Sequence, residues 1–118
     1  MVEDQFARLF EQIGIPGVRF FPPRRSSDLV PVGANTRFLL AQPFLADTAR
    51  ALESRGAVRL AAPFPFGAEG TTAWLKAAAS AFGVAPSHFE RTVAPARERA
   101  VAALARQRVH LEGRRIFF

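Results

Sequence analysis

Apolar positions recur along this chain with two alternating periods, and those periods set the elements it predicts. Phe6, Leu9, Phe10 and Ile13 lie three or four residues apart, which marks one face of a helix over 5–13. Gly14 and Pro16 end that helix. The run from Gly17 to Phe21 predicts a first strand. Pro22 to Asp28 predicts a connector, because adjacent prolines suit neither a helix interior nor a central strand. Arg37 to Ala41 predicts a second strand, continuously apolar after its first residue, as when both faces of a sheet are covered. Pro43 suits the first turn of a helix. Leu45, Ala49 and Leu52 form its buried stripe, with Asp47, Arg50 and Glu53 largely off it. Gly56 is placed to cap that helix in a left-handed conformation, and Ala57 to Ala61 predicts a third strand.

The pattern then becomes helical for longer. After a loop from Pro63 to Gly70, a helix is predicted from Thr71 to Phe82. Its buried face is Leu75, Ala78, Ala79 and Phe82, with Trp74 in the core and Gly83 as its stop. Ser87 and Glu90 have capping-box spacing, which predicts a further short helix. Pro95 opens a long helix to about Glu112, with Val101, Leu104 and Leu111 on one side and Arg99, Arg106 and His110 on the other. Gly113 stops it, and Arg114 to Phe118 predicts a last strand with few neighbours of its own to pair with. Its simplest explanation is that the chain stops as another strand–helix unit begins. Strands alternating with helices predict an α/β fold, a Rossmann-like layered parallel sheet with flanking helices, incomplete within this chain. Residues 1–112 form one such domain and 113–118 the first strand of the next.

Composition adds to this picture. Of 118 residues, 49% are hydrophobic and 22% charged, the profile of a chain that buries a core. Twelve Phe, one Trp and no Tyr make it a core of large rings without phenolic hydroxyls. The net charge of +6 invites a nucleic-acid reading. The arginines are spread along the chain, however, with dense sites only at Arg24–Arg25 and Arg114–Arg115, so no nucleic-acid partner is expected. Cysteine is absent, which excludes disulfides, Cys-ligated zinc and a Cys-held iron–sulfur cluster within these residues. The acidic start Met1-Val2-Glu3-Asp4 is unlike a signal or transit peptide, and the apolar runs fall short of a membrane span. The expected location is the cytoplasm.

Two segments stand out as candidate binding loops. Phe66-Gly67-Ala68-Glu69-Gly70-Thr71-Thr72 has two glycines before a predicted helix, whose first amides suit an anion. It lacks the Lys-Ser/Thr of a phosphate-binding loop and the glycine spacing of a dinucleotide fingerprint. Taken alone, a plain strand-to-helix turn fits it better than a ligand loop. Ala41-Gln42-Pro43-Phe44 follows a predicted strand, at the end of an α/β sheet where ligands collect. Gln42 would supply a hydrogen bond and Phe44 an apolar wall, or Pro43 and Phe44 simply start and pack a helix. His88 and His110 have no partner at ligand spacing, and Asp47, Glu53 and Glu69 read as surface or capping charges. No catalytic residue and no metal site is predicted.

Three stretches together carry a resemblance: Phe38 to Leu52, Ala62 to Leu75, and Gly113 to Phe118. The Pro-Phe-Pro-Phe-Gly-Ala-Glu-Gly-Thr-Thr run at Pro63 to Thr72 is the most specific of these. With Pro22-Pro23-Arg24-Arg25 and the helix at Pro95 to Ala100, the chain resembles the middle of the N subunits of light-independent protochlorophyllide reductases, a nitrogenase-like family. Corresponding subunits of chlorophyllide reductase and nitrogenase-cofactor scaffolds are close rivals. A small basic α/β anion-binding module is a more distant one.

The resemblance implies three Rossmann-like layers, of which this chain spans most of the second and the start of the third. It implies a heterotetramer of two N and two B subunits and a 4Fe-4S cluster whose cysteines lie outside this chain. It also implies an ATP-dependent L protein as electron donor. The implied reaction reduces the D-ring double bond of protochlorophyllide to give chlorophyllide. On that resemblance, Gln42, Pro43, Phe44, Phe66 and Gly67 are expected to line the pigment pocket.

Overall fold

The computed structural model of the chain describes residues 2–20 and 31–115. In chain order it contains α1 (Val2–Ile13), β1 (Arg37–Phe38), α2 (Ala46–Ser54), β2 (Val58–Arg59), α3 (Gly67–Ala81) and α4 (Pro86–Leu111). β1 and β2 pair in parallel, with Arg37 opposite Val58 and Phe38 opposite Arg59. Hydrogen bonds from Val58 N to Thr36 O and from Leu60 N to Phe38 O, both 2.9 Å, extend the pairing by one residue at each end. The helix between two parallel neighbours makes this an α/β unit.

The core lies between the helices. Phe10, Ile13 and Ile15 from α1 and its exit meet Trp74, Leu75, Ala78 and Ala79 of α3, and Phe89 and Val93 of α4. Leu39, Ala41 and Ala62, at the ends of the two strands, pack against this cluster. The period-three-to-four apolar spacing of α1 and α3 is therefore what buries them together. Phe6 and Phe10 set their rings 5.1 and 5.5 Å from that of Trp74, tilted by 58° and 55°, the tilted geometry that aromatic quadrupoles favour.

The α2–β2 join follows the predicted local chemistry. Gly56 takes φ +94°, donating its N–H to Glu53 O, while Ala57 N donates to Leu52 O. This left-handed stop turns the chain straight into β2. Ala49 is buried and Leu45 and Leu52 are half-buried, as the stripe predicts.

Other expectations are corrected. Residue 17 lies in a turn and residues 18–20 in irregular chain, in no strand, and Arg114 and Arg115 likewise lie in no strand. Phe21, the connector from Pro22 to Asp28 and the end of the final predicted strand, 116–118, lie outside the described residues. The strands predicted over 37–41 and 57–61 shorten to two residues each, because strand identity depends on pairing partners rather than on local composition. Their faces are covered unequally: Val58 is 46% exposed. A parallel two-stranded sheet is thus present among the described residues, in keeping with the expected α/β class.

The helices differ in extent. Pro43 and Phe44 form a turn, and α2 begins only at Ala46. α3 begins at Gly67 rather than Thr71, and Phe82 ends it 56% exposed instead of buried. The two helices predicted after Ser87 are one 26-residue helix, α4, with Pro95 inside it. Ala85 is its N-cap and makes no side-chain cap bond, so the Ser87/Glu90 box does not form; Pro86 occupies the first helical position instead.

One stripe of α4 links Phe89, Val93, Ala100, Leu104 and Leu111, spaced four and seven apart. Its first half is core: Phe89 is 2% exposed. Its second half faces solvent, with Leu104 59% exposed and Leu111 56%.

Candidate functional site

Parallel pairing sends the chain out of both strands at the same edge of the sheet. β1 leads into Leu39-Leu40-Ala41-Gln42-Pro43-Phe44, and β2 into Leu60-Ala61-Ala62-Pro63-Phe64-Pro65-Phe66. Crevices open at such carboxyl edges because the loops diverge there. The two candidate loops are therefore neighbours by topology, not only by analogy.

Four of the predicted pocket residues sit on these exits, and Gly67 sits where the second meets α3. Gln42 and Pro43 are exposed, and Phe44 is 91% exposed, which is unusual for a large ring. Phe66, the N-cap residue of α3, is also mostly exposed, and its ring lies 6.2 Å from that of Phe64. Gly67 opens α3 with φ +70°, a backbone conformation that an L side chain strains. The exits are thus apolar and outward-facing at their tips, but tied inward at their roots. Trp74 Nε1 donates a 3.0 Å hydrogen bond to Leu40 O, the last carbonyl before the β1 exit turns away.

The glycine-rich segment is helix rather than loop. Ala68, Glu69 and Gly70 form the first turn of α3, and Thr72 Oγ1 donates to Ala68 O at 2.7 Å. Its N-terminal end already carries a carboxylate, the charge a helix start favours. Arg97 of α4 donates to Glu69 Oε1 from Nε at 2.9 Å and from Nη2 at 2.7 Å. Those bonds, and then the charge of Glu69, push the Arg97 pKa further up, so the guanidinium stays charged. This arrangement favours the plain strand-to-helix turn over an anion loop.

His88 and His110 are exposed, as are Asp47, Glu53 and Glu69. Asp47 pairs with Arg50 one turn on. Among the described residues, no group of three or more His, Asp or Glu is placed to hold a metal. The chain contains no cysteine at all, so its residues do not fit an iron–sulfur cluster. Among the described residues, no helix is long and apolar enough to cross a membrane.

A feature without sequence signal is an open trough of about 670 Å³ between α1 and α4, lined by Gln5, Arg8, Gln12, Thr92, Pro95 and Arg99 among others. Only the packing of the two helices brings these residues together.

Comparison with known proteins gives a consistent result. The light-independent protochlorophyllide reductase subunit N of Rhodospirillum rubrum is 66% identical over 118 residues, all of this chain and 27% of the relative. Proteins of the same name from Rubrivivax gelatinosus and Rhodopseudomonas palustris (strain TIE-1) are each 64% identical over the whole chain, which covers 28% of either. The chain thus spans a little over a quarter of the length of these relatives. Residues 4–118 match the nitrogenase component 1 type oxidoreductases, and the chain belongs to that family.

Proposed function

We propose that this chain is the middle portion of an N-type subunit of light-independent protochlorophyllide reductase, and that the carboxyl edge of β1 and β2 forms part of its pigment wall. The observation that carries this reading is 66% identity across the entire chain to a subunit of that name. The relatives named above all bear the protochlorophyllide name, which favours this reading over chlorophyllide reductase or a cofactor scaffold. The carboxylate at the start of α3 disfavours a stand-alone anion-binding module.

In the intact enzyme, a B subunit completes the assembly as a heterotetramer of two N and two B chains, and an ATP-dependent L protein supplies electrons. A 4Fe-4S cluster belongs to other segments of the complex, since this one has no cysteine. Two electrons and two protons reduce the D-ring double bond of protochlorophyllide in the cytoplasm. In this reading the residues of this chain supply surface. Gln42 offers an amide to a polar substituent, Phe44 and Phe66 offer rings to a flat macrocycle, and Gly67 keeps the entry to α3 free of a side chain. Residues 1–112 belong to the second Rossmann-like layer of the subunit, and 113–118 begin the third.

The test is a chimera in which these 118 residues replace the matching segment of the Rhodospirillum rubrum subunit. Protochlorophyllide reduction close to that of the parent is the expected result. A folded, correctly assembled chimera without that activity overturns the reading.

A further inference from the structure

We propose that Gly70 and Trp74, one turn apart on α3, are positioning residues that hold the two exits of the sheet edge in a fixed relation to one another. The claim rests on the pigment-wall reading above and adds what sets the shape of that wall. Residues four apart share a helix face, and here that one face meets both exits.

Trp74 fixes the β1 exit. Its indole is 4% exposed and locked by the rings of Phe6 and Phe10, and its N–H holds Leu40 O at 3.0 Å. The chain therefore leaves toward Gln42 from an anchored carbonyl.

Gly70 fixes the β2 exit. A Cβ at this position would lie 2.8 Å from Phe64 O, closer than carbon and oxygen normally approach. The obstructing atom is backbone, so it cannot rotate aside. Gly70 does not take a positive φ, so the need for glycine is one of space rather than of conformation. Glycine otherwise weakens a helix relative to alanine, and here that weakness allows the Pro63–Phe66 segment to lie against α3. Because the Phe64 and Phe66 rings are 6.2 Å apart, moving Phe64 also moves its neighbour on the wall.

The test uses the intact chimeric complex with Gly70→Ala and, separately, Trp74→Phe, which keeps an aromatic ring but removes the N–H. Displacing the wall loosens its contact with the macrocycle, and a contact loss the size of one methylene is worth about tenfold or more, so the KM for protochlorophyllide is expected to rise by about ten- to a hundredfold. ATP hydrolysis and the iron–sulfur EPR signal of the complex are expected to stay at parent levels. A purely structural role would instead lower the yield of folded complex and leave KM where it was. Unchanged KM in both variants, in a complex where Phe66→Ala does raise it, overturns the positioning claim. If Phe66→Ala and Phe44→Ala also leave KM unmoved, the pigment-wall reading falls instead. Amide exchange over 39–45 and 61–66 then decides the positioning claim: it quickens in both variants if α3 holds the exits, and parent-like exchange overturns the claim.

Discussion

Replacing Phe89 by alanine and, separately, Leu104 by alanine makes two large-to-small changes on one stripe of one helix. Phe89 is 2% exposed and belongs to the core cluster with Trp74 and Leu75, whereas Leu104 is 59% exposed. Removing the Phe89 ring forfeits its transfer energy and leaves a cavity between α3 and α4, a loss of about 3–5 kcal/mol. That is a large fraction of the roughly 5–15 kcal/mol typical of whole domains. Removing the Leu104 side chain uncovers little, and alanine is the better helix former, so the change stays within about 0.5 kcal/mol. Urea unfolding followed by far-ultraviolet circular dichroism resolves the two. With a slope near 2 kcal/mol per molar, Phe89→Ala shifts the midpoint down by about 2 M, while Leu104→Ala leaves it in place. Equal shifts for the two variants would refute the reasoning, because they would mean that the second half of the α4 stripe is covered like the first.

Further outcomes follow from single positions. Gly56→Ala forces a Cβ into the left-handed region and to 3.3 Å from Ala34 N, so it costs about 1–2 kcal/mol in the same unfolding assay. Pro95→Ala restores an amide inside α4. The helix-interior penalty of about 3 kcal/mol, less about 1 for the looser unfolded chain, predicts a gain of about 2 kcal/mol; a loss instead would mean that the proline ring itself packs.

Much of the helical framework was legible from spacing. The α2 stripe, its Gly56 stop and the step into β2 are local events, set by residues within one turn of each other. Trp74 was legible as core, but not its hydrogen bond to Leu40, which spans 34 residues and depends on where α3 docks. The glycines at 67 and 70 read as a loop because glycine is a poor helix former, yet one starts the helix and the other makes room for Phe64. Pro95 read as a helix start for a similar reason. A proline tolerated in mid-helix looks the same in sequence as one that begins a helix. The strands shortened because pairing is decided by partners remote in sequence. The candidate site residues were placed by resemblance, and the parallel register explains why two segments about twenty residues apart reach one edge.

The central claim is that this edge walls a pigment cavity completed by other polypeptide. The direct measurement is a structure of the intact complex, containing this segment, with protochlorophyllide bound. The account predicts that the rings of Phe44 or Phe66 lie within about 4 Å of the macrocycle, ordinary contact distance. A pigment seated elsewhere, with no atom of Gln42, Pro43, Phe44, Phe66 or Gly67 in contact, would contradict it.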